Sequence, residues 1–299
     1  MPNWPEVTAE TIRHLQTLLR MDTTNPPGNE SVAAEYLAAI LQAEGIEPLL
    51  LESTPGRGNV IARLKGTGEA PPLLLYSHTD VVPAEPSYWT HPPFGGEIAD
   101  GMVWGRGALD MKDDVAEQLM VMLTLKRQGV ALKRDVIYAA TADEEIGGLD
   151  GFGVSWLVRH HPDLLRAEFG LSEVGGHNTL FAEKRVYLIQ VAEKGTCWLK
   201  VRAHGRPGHG SLPHNDNAVL HLTRALNQLA ANGLPYHLTG AASAFLDAAS
   251  RAAGSGSPLA QLLHGLKQPV EAERTFQLEL QGHELYSALY AMLHNTATP

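Results

Sequence analysis

Five short apolar runs, "EPLLLES", "NVIARLKG", "PPLLLYS", "RDVIYAATA" and "EFGLSE", interleave with helix-like segments over roughly the first 180 residues. No other pattern in the chain constrains its fold as strongly. "AETIRHLQTLLRM" places Ile12, Leu15, Leu18 and Leu19 on one helical face, and "SVAAEYLAAILQAEG" repeats that period and stops at Gly45. "DDVAEQLMVMLTLKRQG" and "GVSWLVRHHPDLL" read as two further helices. Apolar runs that alternate with helices predict an α/β fold, with a mainly parallel-stranded sheet flanked by helices on both faces.

The texture changes near residue 185. "RVYLIQVAEKGTCWLKVRAHG" predicts two strands around a turn at Lys194-Gly195. "NAVLHLTRALNQLAANG" predicts an amphipathic helix, and the small-residue-rich stretch that follows predicts helical pieces broken at "GSGSP". The expectation is therefore two domains, residues 1–184 and a smaller α+β domain over 185–299.

Composition removes several function classes. The 23 Lys+Arg against 33 Asp+Glu give a net charge of −10, and no basic run stands out, which argues against a nucleic-acid or anionic-membrane partner. Cys197 is the single cysteine, so neither an internal disulfide nor a cysteine-built zinc site is expected. The start "MPNWPEVTAETIRHLQ" lacks the basic and apolar regions of a signal peptide, and a cytoplasmic protein is the expectation. A spaced glycine fingerprint for dinucleotides is not found.

Ligands of open α/β sheets sit beyond the C-terminal ends of the strands, and the polar residues there form a consistent set. His78 and Asp80 follow "LLLYS", Glu144 and Glu145 follow "VIYAATA", Glu173 follows "FGLS", and Asp110 lies in the glycine-rich loop "WGRGALDMK". One histidine among several carboxylates carries too much negative charge to stand alone, and donors of this mix suit Zn²⁺ or another divalent cation. Two metal ions about 3.5–4 Å apart need a bridging carboxylate and terminal ligands. The doubled glutamate then has a use: one carboxylate binds metal while its neighbour takes a proton from water. Asp80, two residues beyond His78, is placed to accept the second imidazole N–H. Asp143 reads as a solvent-side or structural acid. Lys112, Asp113 and Asp114 read as helix N-terminal charges, and His204 and His214 as surface residues.

The stretches "YSHTDVVP", "WGRGALDMKDD", "TADEEIGG", "SEVGG" and "GRPGHGSLPHNDNAV", with a weaker "DTTNPPGNE", resemble the dinuclear zinc hydrolases that include acetylornithine deacetylase, succinyl-diaminopimelate desuccinylase, aminoacylase and glutamate carboxypeptidase. The resemblance implies a zinc-exopeptidase-like catalytic domain with an inserted lid domain used for dimerisation. It implies that His78 and Glu173 bind one metal, Glu145 the other, and that Asp110 bridges them. Glu144 would be the general base, Asp80 would orient His78, and His209 of the lid would stabilise an oxyanion. It also implies a cis peptide at Asp110–Met111.

The expected cofactors are two Zn²⁺ ions, with Co²⁺ or Mn²⁺ as substitutes. The expected reaction is hydrolysis of an amide in an N-acyl amino acid or small peptide. The family's last metal-ligating histidine follows the lid, whereas this sequence stops at "LHNTATP", and neither His283 nor His294 is expected to replace it. Both domains are therefore expected to be incomplete and the 299-residue chain to hydrolyse poorly alone. The competing expectation is a catalytically incompetent relative that only binds or assembles.

Overall fold

The apolar run Val136–Thr141 is buried along its whole length, and the central sheet is built around it. The computed structural model describes residues 1–147, 151–173, 175–197, 199–283 and 285–298. Its packing divides the chain into two units, Met1–Val174 and Gly175–Pro299.

In the first unit the elements run α1 (Trp4–Leu19), α2 (Ser31–Ala43), β1 (Pro48–Glu52), β2 (Gly58–Leu64), β3 (Leu73–His78), β4 (Glu97–Ala99), β5 (Met102–Trp104), α3 (Lys112–Arg127), β6 (Val136–Thr141), α4 (Glu144–Gly147), α5 (Val154–His160), α6 (Pro162–Leu165) and β7 (Phe169–Leu171). The sheet order is β1-β2-β6-β3-β7. β3 pairs in parallel with both β6 and β7, while β2 lies antiparallel to β6 and β1 antiparallel to β2. Four strands thus point one way and β2 opposes them, which is the mainly parallel-stranded α/β sheet expected. β4 and β5 form a separate hairpin. The single helix expected over "GVSWLVRHHPDLL" is broken into α5 and α6 at His161-Pro162, because proline has no N–H to continue the ladder.

Strand alternation sorts the core into two layers. Val60, Ala62, Tyr138 and Ala140 pack with Leu18, Leu37, Leu119 and Leu123 of α1, α2 and α3. Their neighbours Ile61, Ile137 and Ala139 pack with Leu157 and Leu165 on the opposite face. A strand buried on both sides favours apolar residues; β6 carries Val136, Ile137, Ala139 and Ala140, while the Tyr138 hydroxyl donates to the Val115 carbonyl and Thr141 closes the strand.

Asp135 fixes the start of β6 against the end of β2. Its carboxylate accepts from Gly66 N at 2.9 Å, Lys65 Nζ at 3.0 Å and Arg63 Nη1 at 3.1 Å. The Gly66 N–H, joined by Lys65 and Arg63, outweighs partial burial and holds the carboxyl at about 2. A folded pKa below the unfolded value near about 3.9 stabilises above that value and is lost as pH falls toward about 2. Asp135→Asn is expected to cost about 1–2 kcal/mol at neutral pH, with the difference shrinking as pH drops from about 5 to 2. Urea unfolding of both proteins across that range checks it, and a pH-independent difference would contradict it.

The second unit contains β8 (Gly175–Phe181), β9 (Lys184–Ile189), α7 (Ala218–Asn232), α8 (Gly240–Ala253), α9 (Pro258–Gly265), α10 (Pro269–Leu278) and α11 (Tyr286–Leu293). Here one expectation is corrected. The hairpin is β8–β9, turning at Ala182-Glu183, and no strand forms around Lys194-Gly195 among the described residues. Ala182 and Glu183 both adopt positive φ, 47° and 63°, the backbone of a two-residue hairpin turn matched to strand twist. Both strands of this hairpin belong to the second packing unit, which begins at Gly175. The helical expectations hold: Asn217 caps α7 by accepting from Val219 N and Leu220 N, and Thr239 and Ser257 cap α8 and α9. Leu246, Leu263, Leu266, Phe276, Leu289 and Leu293 form this unit's core.

Candidate metal centre

Parallel pairing brings the C-terminal ends of β3, β6 and β7 to one edge. His78 sits opposite Thr141, and Leu75 opposite Leu171. Residues following all three strands therefore meet, and the geometry can be built from His78 outward.

The His78 imidazole is fully buried. Its Nε2 lies 3.1 Å from Asp110 Oδ1, 3.6 Å from Glu173 Oε2 and 3.8 Å from Glu144 Oε2. Ligand atoms of His78, Glu144 and Glu173 fall within 4.8 Å of one another, and so do those of His78, Asp110 and Glu145. The structure thus brings together all five residues expected to form the centre. On its other side, His78 Nδ1 lies 3.3 Å from Asp80 Oδ1 and 3.1 Å from the Asp80 carbonyl oxygen. A proton on Nδ1 leaves the Nε2 lone pair facing the carboxylates in the neutral imidazole.

The adjacent glutamates share one side because they have left the strand. β6 ends at Thr141, Asp143 takes φ 60°, and Glu144 opens the short helix α4. Helix N-termini leave N–H groups without intrahelical partners, and Asp80 receives two of them: Glu144 N donates to Oδ1 at 2.9 Å and Glu145 N to Oδ2 at 3.2 Å. Asp80 therefore holds the histidine and the backbone of both glutamates at once. The Asp110–Met111 peptide is cis, as the resemblance implied.

The electrostatics are those of carboxylates crowded around one imidazole. Burial opposes charge on His78, but hydrogen bonding by Asp110, Asp80 and Glu173 outweighs it and pushes the imidazolium pKa far up. Asp110 is held below the usual carboxylate range, chiefly by His78. Burial raises Glu144, and burial with the neighbouring Asp110 pushes Glu145 up to about 7. Four carboxylates around one imidazole fit a divalent cation, and this nitrogen and oxygen donor set suits Zn²⁺ and similar ions.

Three residues at the centre's base were not singled out by the sequence: Arg57, and Asn25 and Glu30, which both lie inside the weak stretch "DTTNPPGNE". Asn25 Nδ2 donates to Asp80 Oδ2 at 2.9 Å and to Asp143 Oδ1 at 2.8 Å. Arg57 pairs with Glu30 at 2.8 Å and with Asp143 at 2.8 Å. Asp143 is consequently a buried structural acid, not a solvent-side one. Lys112 is also corrected: it is fully buried, donating to the carbonyls of Leu18 at 3.0 Å and Met21 at 2.8 Å. His209 lies in the second unit, exposed, with Nδ1 2.7 Å from Ser211 Oγ. His204 is exposed and His214 half-buried. His294 is buried against Glu273, with Nε2 3.0 Å from its carboxylate.

A family model described as Peptidase family M20/M25/M40 matches residues 74–268, well over half of the chain. The chain belongs to this peptidase family. Among curated relatives, aminoacylase-1 of Sus scrofa is 34% identical over 217 residues, covering 71% of this chain and 51% of the relative. Succinyl-diaminopimelate desuccinylase of Paracoccus denitrificans is 33% identical over 216 residues, covering 71% of this chain and 54% of the relative. The chain thus spans about half the length of the curated relatives it matches. Among solved structures, the M20 family metallo-carboxypeptidase Sso-CP2 from Sulfolobus solfataricus is 26% identical, with a TM-score of 0.49 over 55% of this chain and 37% of that one. Within the matched region lie His78, Asp80, Asp110, Glu144, Glu145, Glu173 and His209. No helix among the described residues is long and apolar enough to cross a membrane.

Proposed function

We propose that this peptidase-family chain carries a metal-dependent amidohydrolase or exopeptidase centre that acts on an N-acyl amino acid or small peptide. The observation that supports it most is the convergence of Asp110, Glu144, Glu145 and Glu173 on the buried imidazole of His78. The relatives named for acyl and succinyl groups support this substrate class.

In this reading His78 and Glu173 would hold one Zn²⁺, Glu145 the other, and Asp110 both; Co²⁺ or Mn²⁺ would substitute. The bound ions would polarise the scissile carbonyl and lower the pKa of water. Asp80 keeps a proton on His78 Nδ1 and holds the amides of Glu144 and Glu145, so that donor atoms are set before substrate arrives. Glu144 accepts the proton of the attacking water at Oε2 and later delivers it to the leaving amine. His209 would donate to the oxyanion. The first unit would be the catalytic domain and the second a lid that also forms a homodimer.

Titration of metal-free protein with Zn²⁺, followed by elemental analysis, tests the reading. Close to two tightly held ions per chain is expected in a form of the protein long enough to cover its relatives. None, or one held weakly, would overturn it in favour of a binding or assembly role.

A further inference from the structure

Glu30, Asp80 and Asp143 are three buried carboxylates behind the centre, and Arg57 is the guanidinium among them. Its Nε and Nη2 each donate to one oxygen of Glu30 at 2.8 Å, and Nη2 also donates to Asp143 Oδ1 at 2.8 Å. Nη1 donates to the Pro27 carbonyl at 3.1 Å. Gly28 leaves room for this arrangement, since a Cβ there would collide with the guanidinium. The fork geometry matters, because a lysine offers a single point charge and cannot serve two carboxylates in one plane.

The link onward is Asn25. Both hydrogens on its Nδ2 are used, one on Asp143 Oδ1 and one on Asp80 Oδ2. Carboxylates only accept, so the amide nitrogen must face them. Donor and acceptor then alternate without a gap from Arg57 to Asp143, Asn25, Asp80 and His78. Asp143 is also the left-handed residue that swings the chain out of β6. Its second oxygen accepts from Phe152 N at 2.8 Å, which ties the far side of the same loop. A residue at φ 60° needs its surroundings to hold it, and Arg57 supplies the charged contact that does so.

We propose that Arg57 is a positioning residue for the metal centre: through Asp143 and Asn25 it sets the Asp80 carboxylate, and thereby the His78 ring and the backbone of Glu144 and Glu145. The link to metal rests on the reading of the centre given above, whereas the positioning itself does not.

The test is amide hydrogen exchange by NMR on the metal-free chain, comparing Arg57→Met, Arg57→Lys and Asn25→Leu with the parent. Exchange at Glu144 and Glu145 is expected to rise about tenfold or more in Arg57→Met and Asn25→Leu. Tyr138 and Ala139 in β6 should stay protected, and Arg57→Lys should recover part of the effect. Should Arg57→Met unfold, Asn25→Leu decides, since it leaves the Arg57–Glu30 pair intact. Unchanged protection at Glu144 and Glu145 in Asn25→Leu, with β6 still protected, would overturn the proposal. Co²⁺ titration of the same proteins supplies the second readout, a dissociation constant weakened about 10–100-fold in the variants. Looser glutamate amides with unaltered Co²⁺ affinity would sever the network from the centre. A parent that takes up no Co²⁺ would instead sink the metal reading, with the exchange pattern still deciding the role of Arg57.

Discussion

His78→Ala is expected to abolish tight binding of the metal ion that His78, Glu173 and Asp110 would share in the proposed centre, weakening Co²⁺ affinity by more than about 100-fold. Losing an orienting partner alone costs about 10–100-fold, and His78 is itself the nitrogen donor of the centre. The effect is large because the remaining groups near Nε2 are all carboxylates, Asp110 at 3.1 Å, Glu173 at 3.6 Å and Glu144 at 3.8 Å. Without the imidazole, no nitrogen donor held in place by Asp80 remains at that position. Co²⁺ absorption and calorimetry on both proteins provide the measurement. Retention of two tight ions by His78→Ala would remove His78 from the centre. The histidine is fully buried, so thermal unfolding of the metal-free proteins serves as the control for folding.

Turnover should respond most to Glu144. In a form of the protein long enough to cover its relatives, Glu144→Gln is expected to lower kcat by about 10²–10⁴-fold, the usual contribution of a general base. Metal content should stay at the parent's level. The amide keeps the shape of the carboxylate, and the Glu144 backbone N–H still reaches Asp80 Oδ1. What disappears is the oxygen that accepts a proton. Glu145→Gln is expected to act differently, losing metal along with activity, because in the proposed centre Glu145 is a ligand; both glutamates lie within reach of His78, so metal content separates the two roles. Parent-like turnover in Glu144→Gln would contradict the base assignment, and lost metal would make Glu144 a ligand instead.

Asp143, Glu144 and Glu145 show how far a run of like charges can be separated by structure. They are adjacent in sequence, yet each meets a different answer to its charge. Asp143 turns inward to Arg57 and Asn25. The backbone N–H groups of Glu144 and Glu145 donate to Asp80, and their side-chain carboxylates lie near His78. Strand alternation would have sent the two glutamates to opposite faces. The left-handed turn at Asp143 removes that constraint.

Much of the centre was legible because it obeys a positional rule. His78, Glu144, Glu145 and Glu173 each follow an apolar run, and parallel strands deliver such residues to one edge. Asp110 was legible from its glycine-rich loop before α3. Helix positions in both units followed from apolar spacing and from breaks at Gly45 and "GSGSP", whereas the caps at Asn217, Thr239 and Ser257 emerged only with the structure. The β8–β9 turn was not legible, since Ala182-Glu183 lacks the glycine or asparagine that usually marks positive φ, whereas Lys194-Gly195 has one and forms no hairpin.

The sequence by itself determined the α/β class, the family, and the five residues that meet at the strand ends, because local periodicity and short motifs encode them. Only the tertiary structure decided what holds those residues in place. Asn25 meets Asp80 across 55 positions and Asp143 across 118, and Arg57 meets Asp143 across 86. Separations of that size leave no local pattern, and an arginine in "TPGRGNV" looks like any surface charge until the fold buries it between two acids. The chemistry of the centre is written in short motifs, while the support beneath it comes from chain segments that become neighbours only when the sheet forms.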